Sequence, residues 1–208
     1  MNISKFLLID AAIVIAAIPV FYLIQGGNKK TFLFLNSNKE KLSGKTSIKL
    51  PDIGEVLQLE KIAKIKGSGI ESDSLFGNWK FVSVWKKNTD EEDSVFSSLL
   101  RVFSANLEIK KDISIEDSLN FSIIVSIQFG IISIEFSGNG YLKGKQPILP
   151  YFFNLIELKS GSSILLSRSL EEPLEIEKSF FAVISTGESD RWLSVRGQGG
   201  ALIFWLKD

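Results

Sequence analysis

The segment WLSVRGQGGALIFWL, residues 192–206, places one arginine, Arg196, directly before four turn residues, Gly197 to Gly200. Glycines after a strand cradle a phosphate when a helix opens behind them and aims its N–H groups at the anion. Here residues 201–207 follow, with β-type composition, and no Gly-Lys-Ser/Thr is present. The pattern reads as a hairpin turn whose glycines supply positive φ. Arg196 reads as a strand-end arginine, either exposed or contacting a lipid headgroup.

The other chemistry-bearing groups are carboxylates. Asp90-Glu91-Glu92-Asp93 could hold a cation, but four adjacent acids here read as a solvated helix start. Glu171, Glu172, Glu175 and Glu177 surround Pro173 and read as an acidic loop. The chain has no Cys and no His. That removes thiol nucleophiles, disulfides, the usual zinc sites and a Ser-His-Asp triad. A general base near neutral pH would have to be a perturbed carboxylate or lysine. The expectation is a non-enzymatic protein with no cofactor and no metal. Four Trp and sixteen Phe remain, as ordinary core or as the lining of an apolar pocket.

These residues belong to a chain of 208 residues, 45% of them apolar, which is enough for a sizeable core. Net charge is zero overall, but residues 1–72 carry ten lysines against six acids and the remainder is acidic. An acidic body argues against a nucleic-acid partner.

Residues 6–24, FLLIDAAIVIAAIPVFYLI, carry a single charge, Asp10. As a helix this run spans about 28 Å, close to the hydrocarbon thickness of a bilayer. A transmembrane anchor is expected, with a cleaved signal peptide and a buried helix as alternatives. Lys29, Lys30, Lys39, Lys41, Lys45 and Lys49 follow the run, offset by Glu40, whereas Lys5 precedes it. The excess keeps the body on the cytoplasmic or stromal side. Lys29, Lys30, Lys39 and Lys41 would rest on an anionic membrane surface.

Residues 50–66 carry Val56, Leu57, Leu59, Ile62 and Ile65 behind Pro51 and Asp52, a short amphipathic helix packed on the body. From residue 74 onward the apolar period is two. Leu119, Phe121, Ile123, Val125, Ile127 and Phe129 alternate with polar residues, Ile124 being the one exception, and after Gly130 the parity moves to Ile132, Ile134 and Phe136. The slip reads as a bulge or a sharp bend at Gly130, as at a barrel corner. Further strand-like runs are 79–85, 106–110, 152–158, 164–167, 180–185, 192–196 and 201–207, with a short helix within 89–103. Eight or nine short strands with regular turns point to an antiparallel up-and-down barrel, a sandwich being the runner-up. The expected units are 1–27 as transmembrane anchor, 28–72 as basic linker and helix, and 73–208 as the barrel. Trp79, Phe81, Phe121, Ile123, Val125, Ile134 and Phe136 are expected to line its interior.

The segment LFGNWKFVSVW, residues 75–85, resembles the opening strand of the plastid lipid-associated proteins, or fibrillins. The closing segment 192–206 is similar to their last hairpin, through Arg196, Gly197 and Gly200. The two motifs bracket about 130 residues, the size of one domain. Leu193 stands where the family carries a second arginine, and the family's acidic run is reduced to Glu188 and Asp190. The resemblance implies a lipocalin-like barrel that binds or organises lipids, carotenoids or prenylquinones at a thylakoid-like membrane, in a plastid or cyanobacterial setting. The competing expectation is an assembly or scaffold protein of a membrane complex, with a filled barrel.

Overall fold

The computed structural model describes residues 51–87, 89–111, 120–144 and 147–208. The anchor at residues 6–24 and the lysines Lys29, Lys30, Lys39 and Lys41 lie outside the described residues. Among the described residues, no helix is long and apolar enough to cross a membrane.

Helix α1 (Ile53–Lys66) begins where the Asp52 carboxylate accepts the Glu55 N–H at 2.8 Å, and ends at Gly67. A short α2 (Ser72–Leu75) leads into β1 (Gly77–Trp85), and α3 (Ser94–Val102) follows. Then come β2 (Asn106–Lys111), β3 (Asn120–Phe129), β4 (Ile132–Tyr141), β5 (Ile148–Ser160) and β6 (Ser163–Ser169). The last three strands are β7 (Ser179–Ser185), β8 (Trp192–Gly197) and β9 (Leu202–Lys207).

All pairings are antiparallel. The sheet runs β4-β3-β2-β1-β9-β8-β7-β5-β6, and β4 also pairs with β5. That pairing closes a barrel of eight strands, with β6 outside the ring. A barrel, not a sandwich, is the outcome of the alternation. The thirteen-residue β5 holds two neighbours on one edge. Its residues 148–151 pair with β7, and residues 155–160 pair with β6.

The parity change at Gly130 has a different cause from the one expected. Phe129 pairs directly with Ile132 across a two-residue turn, so one apolar face is odd-numbered before the turn and even-numbered after it. The sharp bend at Gly130 is a hairpin turn, and neither a bulge nor a barrel corner lies there. The bulge lies further on, between β4 and β5, where Ser137 faces Leu155 but Gly138 faces Phe153. A Cβ on Gly138 would lie 1.8 Å from the Phe152 carbonyl oxygen, so this close approach requires glycine.

Two apolar clusters sit on the two faces of the sheet. The interior cluster includes Leu75, Trp79, Phe81, Leu107, Ile109, Phe121, Ile123, Leu193, Val195 and Trp205. Trp79 anchors it, fully buried, with its indole N–H donating to the Leu75 carbonyl at 2.8 Å. Phe96 and Leu100 of α3 pack against the same cluster. That helix starts where Asp93 caps the Phe96 N–H, and it is fastened to β1 by the buried Ser97 hydroxyl, which accepts the Val84 N–H. The outer cluster joins Val56 of α1 to Ile184, Trp192, Leu202 and Phe204. Burying a side chain such as Val56 stabilises by about 1.5–3 kcal/mol.

The buried face of α1 follows its apolar residues only in part: Val56 is buried and Leu59 packs beside it. Val56, Glu60 and Ala63 are buried, whereas Ile62 and Ile65 are exposed. Glu60 can face the barrel because a partner awaits it there.

Candidate functional site

That partner is Arg196. Its Nε donates to Glu60 Oε1 at 2.6 Å, a second guanidinium nitrogen reaches Oε2 at 2.5 Å, and the third donates to the Gly200 carbonyl at 2.7 Å. Lys64 adds a further contact to Glu60 at 2.9 Å. Burial pushes the Glu60 carboxyl up, but the hydrogen bonds from Arg196 and Lys64 and their charges outweigh it and hold it below the ordinary glutamate range. The side chains of Arg196 and Glu60 are 20% and 9% exposed. Arg196 is therefore not an exposed strand-end residue, and all three of its guanidinium nitrogens are engaged within the fold. It ties α1 to the β8–β9 hairpin. Residues 197–200 form that hairpin's turn, with the Gly200 N–H on the Gly197 carbonyl and Gly200 at φ 93°. The turn reading of this stretch stands, and no helix follows it.

The acidic segments are also engaged. Asp93 caps α3, Glu92 meets Arg101 at 3.2 Å and Glu91 meets Lys86 at 3.3 Å. Glu172 and Glu175 both pair with Lys178, whose ammonium lies over the Phe152 ring at 4.8 Å. Tyr141 donates its hydroxyl to Glu175. This raises the phenol pKa and lowers that of the carboxyl. Among the described residues, no cluster of three or more acidic side chains could hold a metal ion.

The inner face divides in two. Trp79, Phe121 and Ile123 are fully buried and Phe81 nearly so, all in the closed part of the core. Val125, Ile134 and Phe136 share that face but are only half-buried. In register, Val125 faces Phe136, which faces Ile156; Ile127 faces Ile134, which faces Leu158. Phe136 continues into a ladder of rings through Phe153, Tyr151 and Phe181, with centroids 5.5, 5.5 and 4.8 Å apart. This half-buried wall on β3, β4, β5 and β7 is the candidate site. Edge and offset ring contacts give it shape, and its polarity is low.

Sequence reasoning reached the first half of this wall and missed Tyr151, Phe153 and Phe181. The bulge at Asn154 hides them. Inward residues of β5 are odd-numbered before it, as Tyr151 and Phe153, and even-numbered after it, as Ile156 and Leu158. A period of two cannot be followed through such a break.

The wall runs outward to two hairpin tips. Phe129, Ile131 and Ile132 are exposed at one, and Ile164, Leu165 and Leu166 beside the other. The Gly161 N–H donates to the Ile131 carbonyl at 2.7 Å and joins the tips. Residues 127–134 and 160–167 contain no charged side chain.

No family model matches this chain, and no curated protein matches it.

Proposed function

We propose that the protein is a membrane-anchored, non-enzymatic binder or organiser of an apolar lipid or isoprenoid of the carotenoid or prenylquinone type at a thylakoid-like membrane. The observation that carries this reading is the half-buried aromatic wall of the barrel and its continuation into uncharged, exposed tips. A ligand on the wall gains roughly 25 cal/mol for each Å² of apolar surface removed from water. Tips without charge can enter the bilayer interface without desolvating an ion, so a ligand can pass from bilayer to barrel without crossing water. The resemblance to fibrillins supports the same reading, since the barrel fold agrees with the one it implies. Residues 6–24 supply the tether, and Lys29, Lys30, Lys39 and Lys41 hold the linker on an anionic cytoplasmic or stromal surface.

The test is solvent extraction of the purified full-length chain followed by mass spectrometry. One apolar lipid in near-stoichiometric amount is the expected result. Only the bulk lipid mixture of the source membrane would refute it.

One observation favours the second reading, an assembly or scaffold protein. Among the described residues β6 pairs with β5 alone, and all seven of its residues are exposed. A strand edge of this kind can accept a strand from a partner. A stable protein partner lost on Leu165→Lys, with no bound lipid, would favour that reading over the first.

A further inference from the structure

Trp205 lies on the inner face of β9, opposite Phe81 of β1 and Leu193 of β8. Its ring meets Phe81 edge-on, with centroids 5.5 Å apart. The residue is 6% exposed, and its indole N–H is a buried donor with no hydrogen-bond partner among the described residues. Two other tryptophans differ. Trp79 donates to the Leu75 carbonyl at 2.8 Å and Trp85 to the Ser83 hydroxyl at 3.2 Å.

Buried donors are nearly always paired, so an orphan calls for a reason. Water is a poor answer, because a buried water needs two to four polar partners. Beside Trp205 on this face stand Phe81, Val84, Leu193, Val195 and Ile203, all apolar, and the backbone of β9 is engaged with β1 and β8. A carboxylate is poorer still. A single neutral donor cannot offset the desolvation of a buried charge. What fits is a molecule that brings one acceptor and is otherwise hydrocarbon.

We infer that the Trp205 indole N–H is the polar recognition point of the barrel, and that it binds a carbonyl or ether oxygen carried on an apolar skeleton. Trp205 belongs to the same interior cluster against which Val125, Tyr151 and Phe181 pack. The donor would fix the orientation of a molecule whose chain lies along that wall. The inference rests on the lipid-binding reading above and narrows its ligand to oxygenated species.

The experiment compares 2-heptadecanone with heptadecane on the full-length chain in detergent micelles. The Trp205 indole proton is followed by NMR on ¹⁵N-tryptophan protein and identified by its loss in Trp205→Phe. The ketone is expected to move this resonance downfield and the hydrocarbon to leave it in place. Trp205→Phe removes the donor and keeps an aromatic ring on the same face, so it should bind the ketone about three- to tenfold more weakly relative to heptadecane than the wild type does, the hydrocarbon controlling for the smaller ring. If the variant fails to fold, sequential assignment of the wild-type indole signals gives the same readout. Binding of both probes with an unmoved Trp205 resonance would overturn the inference and leave the lipid-binding reading standing. Binding of neither would overturn both.

Discussion

Replacing Arg196 by alanine strikes the joint between α1 and the barrel. The change removes two bonds to Glu60 and one to the Gly200 carbonyl, and leaves a buried carboxylate with Lys64 as its remaining partner. Breaking a buried ion pair costs about 3–5 kcal/mol. Lys64 holds the loss to the low end, about 3 kcal/mol, which for a chain of this size lowers Tm by about 6–12 °C. Thermal unfolding of the full-length chain, followed by far-UV circular dichroism at neutral pH, measures it. The sign with pH also follows. The Glu60 carboxyl is depressed in the folded state, so its contribution is complete above the ordinary value of about 4.5 and is lost as pH falls through the lowered folded value. Arg196→Ala should therefore flatten the acid limb of the stability curve. A double replacement, Glu60→Leu with Arg196→Met, should recover most of the loss, because apolar packing substitutes for a buried pair. A fall in Tm of less than about 2 °C for Arg196→Ala would show that the fork carries no net stability and that α1 is held by its apolar contacts alone.

Three further outcomes are expected. Phe121→Ala should cost about 3–5 kcal/mol, Ile134→Ala on the half-buried wall clearly less, and Ser122→Ala on the outer face under about 0.5 kcal/mol, all by chemical denaturation. Gly138→Ala drives a Cβ into the Phe152 carbonyl and should cost about 3 kcal/mol, against about 1 kcal/mol for Gly161→Ala, where the added carbon meets open space and only the positive φ resists. Membranes washed with carbonate should retain the full-length chain, and its release to the supernatant would reject the anchor at residues 6–24.

The barrel was legible because its strands alternate. Phe121, Ile123 and Val125 announce one face by themselves, and each strand-like run corresponds to an observed strand, although β5 begins at Ile148 rather than 152. The helix start at Asp52 was legible from its residue types, and a short helix behind the acids 90–93 from their charge, although the cap at Asp93 itself was not singled out. What escaped depends on pairings across long separations. Glu60 and Arg196 meet over 136 positions, and nothing local marks Glu60 as the residue that α1 would bury. Glu60 takes the packed face beside Val56 and Leu59, and Ile62 and Ile65 are left exposed. Gly130 was placed at an irregularity because a hairpin and a bulge both shift parity by one residue. Only the pairing of Phe129 with Ile132 separates them. The division of the interior into a closed core and an open wall was not legible either. It arises where β5 leaves β7 for β6, and Trp79 and Phe136 look alike in a pattern that records only apolar and polar.

The central claim is that an apolar ligand lies on this wall, and photolabelling tests it most directly. A diazirine-bearing fatty alcohol, added to membranes that contain the full-length chain and then irradiated, marks the residues it touches. Peptide mass spectrometry should find the label on Val125, Ile134, Phe136, Tyr151, Phe153 and Phe181, with competition by lipid extracted from the same membranes. Label confined to outward residues such as Ser122 and Asn139, or spread without competition, would contradict the account.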